Sequence, residues 1–164
     1  MTRSDTGVSL RVFRWGASVA DLVVSNEGER YLLALALGRV VYNPAEPFML
    51  HVYTNDYTPD RDVELGDLTE GAWGGYAAQE LDASGWTDPA TLDGQAVSWY
   101  HPAPVEFTFT SGTATAYGFY VTDYAGAVLL WVQRFDSPLI GNSSVPIPVR
   151  PAFGARSQSE PSPP

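Results

Sequence analysis

The spacing of apolar residues divides the chain into a short helical stretch followed by a long β-patterned stretch. Between residues 26 and 41 the pattern is helical, with Leu33, Ala36, Leu37, Val40 and Val41 at i, i+3, i+4 spacing and Leu32 and Leu35 widening the stripe. Asn26 stands at the cap with Glu29 three residues on, the spacing of a capping box. Gly38 weakens the helix, and Asn43-Pro44 and Glu46-Pro47 close it. From residue 48 the period is two. Strands are predicted at 48–54, 76–81, 95–100, 105–110, 116–122, 127–135 and 145–149. Val105, Phe107 and Phe109 alternate with Glu106, Thr108 and Thr110. Leu129-Leu130-Trp131-Val132 is apolar on both faces, which predicts a central strand. Pro146 and Pro148 push the last strand to an edge. Asp93-Gly94 and Asp123-Tyr124-Ala125-Gly126 read as hairpin turns, the second a type I turn ending in a left-handed glycine.

Short strands punctuated by turns predict a mainly β fold, an antiparallel β-sandwich or jelly-roll-like domain with one N-terminal helix. That domain spans residues 21–153. Residues 154–164 are Pro/Ser-rich and read as a disordered tail. Residues 1–20 read as an N-terminal arm. Within it Val8, Leu10, Val12 and Arg14 share one face of an extended chain, and Ser9, Arg11, Phe13 and Trp15 share the other. This is an edge strand, or an arm that orders only on a neighbour.

Charge narrows the function classes. The formal net charge is −10 and all nine basic residues are Arg. No nucleic-acid partner and no membrane partner is expected, because both need a basic surface. Charged residues are only 17% of the chain and aromatics are 13%, which suits a homo-oligomer or an assembly component. There is no Cys, so disulfides and thiolate chemistry are excluded. No apolar run approaches a membrane span, and polar residues interrupt the Arg-bearing N-terminal stretch, so it does not read as a signal peptide.

The candidate chemistry is sparse. Residues 55–70 hold six acids and Arg61, a local charge of −5. Asp60, Asp62 and Glu64 imitate the first ligands of a Ca²⁺ loop, but Leu65 stands where Gly is required and Gly71 where the closing Glu is required. The three remain candidates for a cation site outside that motif, against a solvated acidic loop as the main reading. Asp56 and Glu70 near Trp73 and Tyr76 suggest a glycosidase pair, with no carboxylate spacing to support it. His51 and His101, the only histidines, read as surface or strand-end residues. No nucleophile elbow, P-loop or dinucleotide fingerprint occurs, so no enzyme activity, cofactor or resident metal is expected. The aromatics mostly read as core. Trp86, in a loop, is less easily placed there. Trp86, Trp73 and Tyr76, with Arg11 and Arg14 of the arm, are the candidate interface residues. A basic arm at +2 could lie on the acidic loop of another subunit.

The order of landmarks resembles a widespread group of small, mostly uncharacterised phage structural (virion) proteins from head and tail gene modules. They are the Gly28-Glu29 helix start, then Leu50-His51-Val52-Tyr53-Thr54-Asn55-Asp56-Tyr57-Thr58-Pro59, close to an L-x-L-F-x-N-N-x-T-P pattern. Leu68-Thr69-Glu70, Gly75-Tyr76-Ala77-Ala78 and Trp86 follow. Then come Phe107-Thr108-Phe109-Thr110, Tyr117-Gly118-Phe119-Tyr120-Val121, Leu129-Leu130-Trp131 and Arg134-Phe135. The resemblance covers about residues 21–153. It implies a virion component made in the host cytoplasm, a capsid decoration (cement) or minor head protein. Its partners would be the major capsid protein or other virion proteins, and it brings no catalytic residues. The alternative is a tail-associated or carbohydrate-binding host-recognition module.

Overall fold

The computed structural model describes residues 22–88, 90–92, 95–100 and 104–155. The fold is mainly antiparallel β and sandwich-like, with one α-helix among the described residues. In chain order the elements are β1 (Leu22–Val24), α1 (Asn26–Ala36), β2 (Phe48–Tyr53), β3 (Gln79–Leu81), β4 (Ala90–Leu92) and β5 (Gln95–Trp99). They continue as β6 (Val105–Phe107), β7 (Thr113–Thr122), β8 (Leu129–Asn142), β9 (Ile147–Val149) and β10 (Ala152–Ala155). A five-stranded sheet runs β1-β8-β7-β2-β3. A three-stranded sheet runs β10-β5-β4, and β6 pairs with β9. The Asp93-Gly94 turn, the arm at 1–20 and His101 lie outside the described residues. β10 continues to Ala155, two residues into the stretch that the sequence assigns to the tail, because Gly154 and Ala155 pair with Val97 and Ala96.

Both faces of the five-stranded sheet are covered, which is why β8 is apolar on both sides. On one face Leu50, Val52, Phe119, Val121 and Trp131 pack with Phe107, Ile147 and Val149 of the β6–β9 pair. On the other, Tyr53, Tyr120, Leu129 and Val132 are covered by Val63 and Leu68. The acidic stretch is therefore a lid over the second face. It is anchored where Asn55 donates to Asp67 O at 2.8 Å and accepts from Thr69 N at 2.8 Å. The hairpin turn between β7 and β8 forms as the sequence predicts. Gly126 has φ 69° and its N–H donates to Asp123 O at 3.0 Å. Pro148 lies on an edge, since among the described residues β9 pairs only with β6.

The helix departs from the sequence reading twice. Its cap is Ser25, not Asn26: the Ser25 hydroxyl accepts from Gly28 N at 2.9 Å and donates to Leu129 O at 2.5 Å. Its buried face is also different. Leu33, Leu37 and Val41 are 60%, 66% and 84% exposed. The face turned inward is Gly28, Tyr31, Leu32 and Leu35, an equally good i, i+3, i+4, i+7 stripe. Gly28 selects it: a Cβ there would collide with the Leu130 carbonyl, so only glycine lets the first turn lie on β8. The helix stops at Ala36, and Gly38 at φ 66° turns the chain away, so Val40 and Val41 are not on it.

Candidate functional site

The candidate site is an aromatic pocket of about 270 Å³ between α1, the five-stranded sheet and the three-stranded sheet. Leu32 of α1, Tyr42, Phe48 of β2, Ala83, Trp86, Ser98 of β5, Trp131 of β8 and Phe153 of β10 line it. Edge-to-face contacts hold the wall together. Tyr42 meets Phe48 at 5.7 Å, Phe48 meets Trp131 at 6.1 Å, and Trp86 meets Trp131 at 6.2 Å between ring centroids. Phe153 closes on Trp131 at 5.0 Å. Such pairs prefer these offset and tilted geometries because ring edges are positive and ring faces negative. Trp131 is buried, and among the described residues its indole N–H has no hydrogen-bond acceptor. Leu32 is the residue of α1 that lines the pocket; Leu33 and Leu37 lie on the exposed side of the same helix.

The candidate interface residues meet different fates. Trp86 is half-buried, packs on Trp131 and Tyr100, and lines the pocket. Trp73 and Tyr76 are half-buried too and are engaged inside the chain. The Trp73 ring stacks on Phe109 at 4.5 Å and its N–H donates to Thr108 O at 2.9 Å. Tyr76 stacks on Phe107 at 5.6 Å. Each has one ring face covered by the chain's own aromatics. Arg11 and Arg14 lie outside the described residues.

The acidic residues do not converge. Among the described residues no group of three or more His, Cys, Asp or Glu could hold a metal ion. Asp60 accepts from Asp62 N, Asp62 accepts from Asn26 Nδ2, and Glu64 and Asp67 form a reciprocal capping box. Asp56 pairs with Arg134. Glu70 faces elsewhere, toward His51, so the two carboxylates considered as a glycosidase pair serve separate contacts.

His51 is the residue the sequence reading misplaces. It is 8% exposed, not on the surface, and it joins three parts of the fold. Its ring stacks on Tyr120 at 4.7 Å, Nδ1 lies 2.8 Å from Glu70 Oε1, and Nε2 lies 3.0 Å from Thr122 Oγ1. Thr122 gives its hydroxyl proton to Asp123 O, so it accepts from a protonated Nε2. Tyr76 donates to the same Glu70 oxygen at 2.9 Å. Hydroxyl, imidazole and carboxylate fall in the order of a hydrolytic triad. Thr122, however, is 1% exposed and its proton is already committed, so its hydroxyl is no nucleophile for a substrate. The row ties β2, β7 and the acidic lid together. Only the alternation of Leu50-His51-Val52, which puts His51 opposite the core-facing pair, hinted at burial on the second face.

Burial also pushes the nearby phenols up. Tyr53 rises to about 12, through desolvation first and Asp56 after it, against a lowering by Arg134. Tyr76 and Tyr120 rise further, again through desolvation first, with Glu70 adding to it.

No family model matches the chain, and no curated protein matches it. Among the described residues no helix is long and apolar enough to cross a membrane.

Proposed function

We propose that the chain is a phage virion structural protein, a capsid decoration or minor head protein that works by docking rather than by catalysis. The observation that carries this reading is the aromatic pocket walled by Phe48, Trp86, Trp131 and Phe153, on a chain whose helix also exposes Leu33 and Leu37. Exposed apolar surface of this kind is a usual mark of a protein-binding face. The ordered landmarks between residues 21 and 153 supply the virion context. Net charge keeps such a protein soluble before assembly, and a repetitive shell multiplies a modest contact through many copies.

Mass spectrometry of gradient-purified particles from the phage or prophage that encodes the chain tests this. Copies in fixed ratio to the major capsid protein are expected. A few copies per particle would replace the decoration role with a tail or portal role. Complete absence would overturn the virion reading and turn attention to glycan binding.

A further inference from the structure

The aromatic pocket has a candidate occupant in the chain itself. We propose that it receives the segment Val8–Trp15 of a second copy of this chain, with Trp15 entering the pocket and Arg11 and Arg14 meeting the acidic residues around it. This goes beyond the virion reading and does not depend on it.

Size, charge and direction support the assignment. A cavity of about 270 Å³ is below the usual range for a drug-sized ligand and suits one large side chain. Trp is also the residue that most often anchors an interface from such a pocket. The rim is acidic. Asp82 adjoins Ala83, and Glu46 lies two residues before Phe48. The phenols of Tyr31 and Tyr42 are raised by burial first, then by Asp123 and Glu46 at Tyr31 and by Asp82 at Tyr42. Arg39 is the one basic residue between the helix end and Phe48. Residues 1–20 carry +2, while most carboxylates of the 55–70 lid are already engaged within the fold.

Direction favours a second copy over the same chain. β1 lies antiparallel to β8, with Leu22 opposite Gln133 and Val24 opposite Trp131. The chain therefore enters the sheet from the side away from Trp131.

The test is the solution mass of the isolated full chain, by sedimentation and light scattering, across protein concentration and salt. Self-association that weakens as salt rises is expected, along with dissociation by an excess of a synthetic peptide of residues 1–20. Trp15→Ala and the pair Arg11→Glu with Arg14→Glu should each weaken association roughly tenfold or more, the size of a lost anchor. Ala83→Trp, which fills the pocket from an exposed position, should do the same with an unchanged circular dichroism spectrum. A monomer at every concentration overturns the proposal. So does association that survives both Trp15→Ala and Ala83→Trp. If Trp15→Ala instead lowers the melting temperature of a monomeric sample, the chain's own segment fills the pocket, and the second-copy assignment is overturned.

Discussion

His51 shows how a single side chain can be fixed by counting donors and acceptors. Its Nε2 proton has one acceptor, Thr122 Oγ1, deep in the fold, whereas its Nδ1 faces a Glu70 side chain that is 45% exposed. The two contacts should therefore differ in worth. Thr122→Val keeps the shape but strands a buried N–H, which costs about 1–3 kcal/mol. Glu70→Ala lets water replace the lost partner and should cost less than about 1 kcal/mol. Urea denaturation of both variants checks the order; a larger loss for Glu70→Ala would refute the assigned hydrogen-bond directions. The sequence could not place His51, because a histidine in an alternating strand reads as solvent-facing until the other face is known to be covered. That cover comes from Val63 and Leu68, two apolar residues inside a stretch dominated by acids.

Elements were easier to read where one periodicity had a single interpretation. The strand from Val105, the turn at Asp123–Gly126, the central β8 and the edge position of Pro148 all follow from local pattern. The helix had two competing stripes of similar quality, and aliphatic content favoured the wrong one. What decides between them is a steric fact about Gly28 and a strand 102 positions away, Leu130, which no local pattern contains. The exposed stripe makes a clear prediction. Leu33→Glu and Leu37→Glu should change stability by less than about 0.5 kcal/mol, as surface substitutions do. A core stripe would lose about 2–5 kcal/mol. Thermal melts of the dilute protein distinguish the two. The aromatic pocket was only half legible: Trp86 stood out as a loop tryptophan, but its companions come from five separate parts of the chain.

For the molecule as a whole, the packing of tyrosines sets a limit on the alkaline side. Tyr53, Tyr76 and Tyr120 are neutral in the fold and have raised pKa values, so the folded state holds protons that the unfolded chain releases. Their contribution is complete below the ordinary phenol value of 10.0 and is lost as pH rises through the folded values, about 12 for Tyr53. Stability should be level up to about pH 9. It should then fall by up to about 1.4 kcal/mol per pH unit for each phenol. Melting temperature against pH, with tyrosinate absorbance as the second reading, checks this; phenols that ionise before unfolding would contradict it. The Ser25–Leu129 bond has a consequence for how the chain is made. Its two ends are 104 residues apart, and the docking surface for β1 and α1 is the strand that begins at Leu129. At roughly 5–20 residues per second, the first strand and helix emerge from the ribosome on the order of 5–20 s before their partner exists. Through that interval Gly28 has nothing to lie against, and the helix is too short to hold itself together in water. The first strand and helix of the described domain are thus synthesised early but cannot dock until Leu129 has emerged.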